Sequence, residues 1–189
     1  MFRSESLPVL LKRIILLILV FVFATLQNTD GLLPCIFDAR FFILIPLVVS
    51  IGMFEGEISG LLYGLLAGGL WDVCSAGIDG YHAFFLALTG CVAGILVHFL
   101  MRNKLLTQYC ICAVSAFLHG IFYWLISVYI PVGDNRYMKL LLFYLPSAII
   151  TITISFIIYY SVKFICIKLR VCDPFGSFSR NCNRLVFVV

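Results

Sequence analysis

Long apolar runs separated by short charged clusters constrain this chain more than any other feature. Hydrophobic residues make up 63% of its 189 residues and charged residues 12%, whereas a soluble domain carries roughly 25% charge. A water-soluble fold of this size could not bury so much apolar surface, but a lipid bilayer removes the need to bury it. The sequence therefore predicts an all-α integral membrane protein that forms one bundle of transmembrane helices.

Six apolar runs are candidate helices, and a perpendicular span takes about 20 residues. They cover 9–28, 39–54, 57–72, 81–101, 105–130 and 139–169. The first has no small-residue cleavage pattern after it, so we expect a retained helix rather than a signal peptide. The second and third are short and could instead be one helix interrupted at Glu55-Gly56-Glu57. We predict a six-helix transmembrane domain over 1–170 and a poorly ordered cytoplasmic tail over 171–189.

Positive charge favours six spans over five, because Lys and Arg accumulate on the cytoplasmic side. With six spans and the N-terminus inside, ten Lys and Arg residues lie on the cytoplasmic side: Arg3, Lys12, Arg13, Arg102, Lys104, Lys163, Lys168, Arg170, Arg180 and Arg184. Only Arg40, Arg136 and Lys139 then lie outside. Fusing the second and third runs puts five inside and eight outside. We therefore expect six spans with both termini cytoplasmic in a cell membrane.

Several function classes lack support in the residues. The net charge of +4 is clustered between apolar runs, which indicates membrane topology rather than nucleic-acid binding. No nucleophile elbow, phosphate-binding loop, dinucleotide fingerprint or zinc-protease helix is present. The eight cysteines have no zinc or disulfide spacing, and most fall inside apolar runs as small hydrophobes. We expect no enzyme activity, no cofactor and no metal site.

A ladder of glycines is the strongest local pattern. Its members recur every four residues, starting directly before the third run: Gly56, Gly60, Gly64 and Gly68. Residues four apart stack on one helix face, and small residues let membrane helices approach closely. Gly90 and Gly94 in the fourth run could supply a facing groove. Packing within the chain, a face for a partner helix and a ligand cavity are the three alternatives for this ladder.

Polar residues in or beside the apolar runs are further candidates, because charge at membrane depth is costly. Asp72 ends the glycine run and either has a direct function or structures the loop, where Asp79 or Ser75 could cap the next helix. Glu55 and Glu57 are expected to be solvated charges in a tight turn. His119 is expected to make one interhelical hydrogen bond. His82, His98 and His119 are expected at different depths, which implies no metal site.

The run EGEISGLLYGLLAGGLWDVCSAGIDGYHAFFLALTGCVAGIL resembles the rod shape-determining membrane protein family MreD. That family has a glycine-rich helix that ends in a Leu-x-Asp-like element, followed by a short loop with a glycine and an aromatic or polar start to the next helix. The residues that match this pattern are Gly60, Gly64, Gly68, Asp72, Gly80 and His82. The resemblance covers about forty residues, and the chain agrees elsewhere in hydropathy, size and span number.

The resemblance implies a non-enzymatic membrane scaffold of the bacterial cell-wall elongation complex. Such a protein takes part in rod shape and lateral peptidoglycan synthesis by binding MreC, a RodA-like glycosyltransferase and a class B penicillin-binding protein, with the MreB cytoskeleton as an indirect partner. The family is similar in fold to substrate-binding subunits of energy-coupling-factor transporters, which supply the alternative function. For that alternative, Trp71, Tyr81, His82, Trp124 and Tyr129 could line a ligand cavity, or they could form an interfacial aromatic belt.

Overall fold

The computed structural model describes residues 6–29, 42–75, 80–100, 104–129 and 145–168, and all regular structure in these ranges is helical. The helices are α1 (Ser6–Asn28), α2 (Leu44–Glu55), α3 (Glu57–Cys74), α4 (Tyr81–Phe99), α5 (Leu105–Tyr129) and α6 (Leu145–Lys168). Four of them, α1, α4, α5 and α6, are long and apolar enough to cross a membrane. In lipid a helix satisfies its own backbone hydrogen bonds, which is why such apolar runs fold this way. The described part of the chain is thus all-helical, and the length and composition of these four helices are those of a membrane protein.

Three of the six predicted helix starts coincide with the starts of described helices. The third, fourth and fifth helices begin at the predicted residues, and α1 begins three residues before the predicted start at 9. The second helix begins at Leu44 rather than at 39. The predicted starts at 39 and 139 and the predicted tail over 171–189 lie outside the described residues.

A single glycine separates α2 from α3. Gly56 has φ 94° and ψ 178°, a backbone conformation that L side chains rarely adopt. Its amide donates to the Gly52 carbonyl at 3.0 Å, and its own carbonyl accepts from the Gly60 amide at 2.9 Å. Because the chain reverses here, α2 and α3 pack on each other as two helices. The alternative of one fused helix is therefore wrong.

The short helix α2 forms the centre of the bundle. All twelve of its residues are buried, and α1, α3, α4, α5 and α6 all pack against it. Its core residues include Leu44, Ile45, Leu47 and Val48, each with no exposed surface. Since its neighbours surround α2, its length of twelve residues does not have to match the thickness of a bilayer.

The outer faces of the longer helices are apolar. On α1 the buried residues follow a narrow stripe at four-residue spacing: Lys12, Leu16, Val20 and Ala24. The rest of that helix is largely exposed, with Ile18 53% exposed. Exposed leucine, isoleucine and phenylalanine on α4 and α5 continue the apolar surface. Such a surface suits contact with lipid acyl chains.

The bundle has two ends, which we name after one acidic residue each. The Asp72 end holds the last turn of α3 and the first turn of α4. The Glu55 end holds the α2–α3 turn, and Lys12 of α1 and Cys166 of α6 contact Glu55 there. The helix α6 runs toward the Glu55 end, because Thr151 contacts the amide of Phe42 before α2 and Cys166 contacts Glu55.

Candidate functional site

The glycine ladder brings the backbones of α3 and α4 into direct contact. A Cβ atom added at Gly60 would lie 2.7 Å from the carbonyl carbon of Gly90. One added at Gly64 would lie 2.7 Å from the carbonyl carbon of Leu86, and the same addition at Gly68 would collide with the carbonyl group of His82. Real Cβ atoms essentially never come this close to backbone atoms. At these three positions only glycine fits the observed spacing.

The facing glycines on α4 complete the same contact. A Cβ at Gly90 would lie 2.7 Å from the carbonyl carbon of Gly60, and one at Gly94 would lie 2.8 Å from the carbonyl carbon of Gly56. Gly52 of α2 faces Gly90 as well. A Cβ added at Gly52 would lie 3.2 Å from the carbonyl carbon of Gly90. Gly52 was not among the predicted packing residues, because it belongs to the preceding apolar run, although it lies four residues before Gly56 and continues the same period.

Not every glycine of the pattern has to lack a side chain for packing. Gly56 has nothing within 4 Å of an added Cβ, and its role is the left-handed turn. Gly69, next to Gly68, also faces open space. Of the three alternatives for the ladder, the structure uses it for packing within the chain. The ladder is therefore not a free groove for a second helix.

Asp72 joins the end of α3 to the start of α4. Its Oδ1 accepts from the His82 amide at 3.1 Å, and its Oδ2 accepts from the Ala83 amide at 2.9 Å. These are early amides of α4, which have no partner inside their own helix. A carboxylate there is also favoured by the helix dipole. Asp72 thus caps α4 from a neighbouring helix, and the Ser75 hydroxyl contacts the Asp72 carbonyl instead of capping α4.

Gly80 is the residue from which α4 begins. It has φ 83° and ψ −8°, the left-handed conformation in which glycine has no steric cost. Its carbonyl accepts from the Phe84 amide at 3.0 Å as the first hydrogen bond of the helix. Gly80 and Asp72 together fix where α4 starts. Asp79 lies outside the described residues.

Two histidines meet beneath this cap. His82 Nδ1 of α4 and His119 Nε2 of α5 are 3.1 Å apart, and both side chains are buried. The indole of Trp71 stacks on His82, with ring centroids 4.1 Å apart and planes 5° apart. The expectation that the three histidines lie at different depths is wrong for this pair, because the depth of α5 relative to α4 is not visible in the sequence. His98 lies at the other end, with its Nδ1 3.8 Å from Glu57 Oε2.

Aromatic rings surround the histidine pair. The Tyr81 hydroxyl donates to the His119 carbonyl at 2.9 Å and thereby links α4 to α5 a second time. The rings that contact His119 belong to Phe42, Trp71, Tyr81, His82, Phe85 and Tyr123. Trp71, Tyr81 and His82, which were expected to line a cavity or form a belt, instead pack on one another and on α5. The side chains of Trp124 and Tyr129 lie outside the described set.

The histidine pair has one unused nitrogen. A hydrogen bond between two imidazoles needs one protonated and one unprotonated nitrogen, so the pair shares a single proton at the contact. His119 Nδ1 is buried and has no hydrogen-bond partner among the described residues. A buried polar atom without a partner is costly in an apolar environment. At this nitrogen a small polar ligand or a water would gain a hydrogen bond.

The Glu55 end contains a buried ion pair. Lys12 Nζ of α1 lies 2.6 Å from Glu55 Oε1, and each side chain is less than 10% exposed. The Cys166 thiol of α6 donates to the same carboxylate oxygen at 3.2 Å. The expectation that Glu55 is a solvated charge is therefore wrong, because its side chain is buried. A buried carboxylate needs partners, which here are the Lys12 ammonium group and the Cys166 thiol. Glu57 is partly exposed and lies beside His98.

A buried amide links α5 to α2 between the two ends. Gln108 Nε2 donates to the Pro46 carbonyl at 3.0 Å and to Ser50 Oγ at 2.7 Å. The Thr151 hydroxyl of α6 accepts from the Phe42 amide at 3.3 Å, and the Ser155 hydroxyl lies 3.6 Å from Cys112 Sγ. Sequence analysis did not single out these residues. On α6, Ser147, Thr151 and Ser155 are spaced by four residues and so share one helix face. This spacing is the signal that could have identified the polar residues of α6.

The five cysteines in the described part of the chain are free thiols. Cys112 is buried and Cys110 is exposed, so this closely spaced pair lies on different faces of α5. Within the described ranges, no three His, Cys, Asp or Glu side chains come together as a metal site.

Comparisons with known proteins give no match to a family model, to a curated protein or to a solved structure.

Proposed function

We propose that this chain is an MreD-like, non-enzymatic membrane scaffold of the bacterial cell-wall elongation complex. It would bind an MreC-like protein, a RodA-like glycosyltransferase and a class B penicillin-binding protein, and through them act with the MreB cytoskeleton in lateral peptidoglycan synthesis. It would couple the binding of these partners to one another in free energy and would not catalyse a reaction.

The observation that carries the proposal is the way the residues of the family resemblance come together. Gly60, Gly64 and Gly68 set the spacing between α3 and α4. Asp72 caps α4, Gly80 begins it, and His82 continues the contact to α5. Residues that share one structural unit are expected to be retained together when a family keeps that unit. The residues of the resemblance therefore form one contact region between α3, α4 and α5 and are not isolated small residues.

The topology that we propose has six spans in the bacterial cell membrane, with both termini in the cytoplasm. In this arrangement the Glu55 end faces the cytoplasm and the Asp72 end faces outward. The distribution of Lys and Arg supports this orientation, with ten on the cytoplasmic side against three outside. The Lys and Arg count favours six spans only if α2 and α3 are two separate helices. The break at Gly56 supports this, because it ends α2 and begins α3.

Partner contacts would use the outer faces of the bundle. The ladder is occupied by α4, so a partner helix cannot dock on it without separating the two helices. Exposed apolar side chains remain on α1, α4 and α5. A scaffold whose core is fixed by backbone contacts can hold these faces in a constant arrangement, which is the property that assembly of several partners needs.

A second candidate is the substrate-binding subunit of an energy-coupling-factor-type transporter for a small molecule. The unpartnered His119 Nδ1 favours it, because a bound ligand could donate to or accept from that atom. The close packing of Trp71, Tyr81 and Phe85 around the histidines favours the scaffold instead.

Depletion and rescue in the bacterium that encodes the chain would test the proposal. We expect depletion to turn rods into rounded cells and to reduce lateral wall incorporation of a fluorescent D-amino acid. Rescue should succeed with the native chain and with Gly69→Ala and fail with Gly68→Ala, with membrane abundance of each variant measured by immunoblot. Rods that persist after depletion, with a new requirement for an external vitamin, would contradict the scaffold and favour the transporter subunit.

A further inference from the structure

Three lysines without an ion-pair partner among the described residues form a cationic edge at the Glu55 end of the α5–α6 pair. They are Lys104, directly before α5, and Lys163 and Lys168 in the last turns of α6. We propose that this lysine edge, together with the aromatic rings beside it, binds the phosphate headgroup of an anionic phospholipid. This inference goes beyond the proposed function and does not depend on it.

The two helices bring their lysines to the same depth. Ser155 Oγ of α6 lies 3.6 Å from Cys112 Sγ of α5. The two helices run in opposite directions, because α5 passes from Ser50 at Gln108 to Phe42 at His119, whereas α6 passes from Phe42 at Thr151 to Glu55 at Cys166. Lys163 follows Ser155 by eight residues, and Lys104 precedes Cys112 by eight residues. Eight residues of helix rise about 12 Å. Lys104 and Lys163 therefore lie at about one level, with Lys168 further toward the end of the bundle.

The carboxylates at this end are already engaged. Glu55 is buried against Lys12, and Glu57 lies beside His98. Asp72, the other acidic residue in the described part of the chain, caps α4 at the opposite end. No carboxylate within the described ranges forms an ion pair with the three lysines. Within the part of the chain that the structure describes, their positive charge is not taken up by a carboxylate, which leaves it to an anion such as a lipid phosphate.

Aromatic side chains mark the depth of this edge. Lys163 Nζ lies 5.9 Å from the ring centroids of both Tyr159 and Tyr160, and Lys168 Nζ lies 5.5 Å from that of Phe164. Tyr160 is 49% exposed and Phe164 64% exposed. Tyrosine rings and lysine ammonium groups are typical of the layer where acyl chains meet headgroups. A phosphate there meets the ammonium groups, while the exposed rings and the apolar face of α6 contact the glycerol and acyl regions.

The charge and surroundings favour a lipid over an acidic protein segment. The apolar faces of α5 and α6 continue directly from the lysines, with Leu106 74% exposed and Ile157 65% exposed. A lipid offers one negative headgroup attached to apolar chains, which matches a cationic edge above an apolar face. Basic positions beside transmembrane helices bind anionic headgroups in this way.

The test measures thermal unfolding of the full chain in detergent with phosphatidylglycerol or phosphatidylcholine added at equal amounts. We expect phosphatidylglycerol to raise the midpoint by about 2–4 °C more than phosphatidylcholine does. In the Lys104→Gln, Lys163→Gln, Lys168→Gln triple variant this difference should disappear. The corresponding triple replacement by Arg should keep it. Because each variant is compared with itself in the two lipids, a change in its basal stability does not alter the result.

Arg13→Gln is the matched control for a single charge. Arg13 lies at the same end, next to Lys12 on α1, so its loss lowers the net charge as much as Lys163→Gln does. We expect Lys163→Gln to reduce the phosphatidylglycerol effect and Arg13→Gln to leave it in place. Equal stabilisation by the two lipids, or an undiminished effect in the triple Gln variant, would overturn the proposal. Protection of the native chain by an acidic peptide but not by phosphatidylglycerol would overturn it in favour of a protein partner.

Discussion

The contact between α3 and α4 and the attachment of α1 represent two different ways to hold membrane helices together. Between α3 and α4 the backbones touch, and stability depends on the absence of side chains at Gly60, Gly64 and Gly68. By contrast, α1 packs through one narrow stripe of side chains and a buried ion pair between Lys12 and Glu55. The first contact is broad and tolerates no added atom. The second includes one buried charged pair whose members need each other, beside a hydrogen bond from the Leu44 amide to Gln27 and one from Asn28 to the Leu70 carbonyl.

The difference teaches where the chain can vary. Lipid gives apolar helices no hydrophobic reason to associate, so close packing and interhelical polar contacts must supply the attraction. A backbone contact distributes that attraction over many small terms, whereas an ion pair concentrates it in two residues. Substitutions at each contact can separate these two ways of holding helices together.

Removal of one member of the ion pair should have the largest effect. Lys12→Met leaves the Glu55 carboxylate buried without its ammonium partner, and we expect a loss of about 3–5 kcal/mol in the free energy of unfolding. Titration of the purified protein with a denaturing detergent measures it. The double variant Lys12→Met with Glu55→Leu removes both charges and should recover most of the loss. A single variant as stable as the native chain would show that the ion pair does not hold α1 on the bundle.

Adjacent glycines sharpen the description of the backbone contact. Gly68→Ala puts a methyl group against the carbonyl of His82, and we expect a loss of about 1–3 kcal/mol. Gly69→Ala puts the same group into open space, and we expect no loss and a gain of up to about 1 kcal/mol from helix propensity. The two variants differ by one position and not in chemistry. Equal unfolding midpoints for the two would contradict the observed helix spacing.

The Asp72 cap should contribute less than either of these. Asp72→Ala removes the acceptor of two amides, and we expect a loss of about 1–2 kcal/mol. Asp72→Asn keeps one carbonyl acceptor and should lose about half as much. Hydrogen exchange at the amides of His82 and Ala83 localises the effect, because these two donate to the carboxylate. Unchanged exchange at both amides in Asp72→Ala would exclude the cap.

The histidine pair should give the smallest change. His119→Phe removes the hydrogen bond to His82 but keeps a ring among the surrounding aromatics, and we expect a loss of about 1 kcal/mol. His98→Phe, at the partly exposed pair with Glu57, is the control and should change stability less. The unfolding midpoints of the two variants give the comparison. A larger loss from His98→Phe would reverse the assigned importance of the two sites.

Sequence analysis predicted the elements better than it predicted their partners. The glycine ladder was visible because its period of four places Gly60, Gly64 and Gly68 on one face whatever the partner is. The break at Gly56 was visible from charge counting. The contacts of Glu55 with Lys12 and of His82 with His119 were not, because each joins helices whose relative depth the sequence does not specify. Asp72 was identified as important, but its capping role required knowledge of where α4 begins.

Purification of the tagged chain in mild detergent, with co-purifying proteins identified by mass spectrometry, tests the proposed function most directly. The Gly69→Ala variant serves as a folded control, and Gly68→Ala as a variant with the helix contact disturbed. We expect the native chain to recover an MreC-like protein, a RodA-like glycosyltransferase or a class B penicillin-binding protein, and Gly68→Ala to recover less of them. Recovery of paired ATPase subunits with a coupling membrane protein, and of no wall-synthesis protein, would contradict the scaffold function.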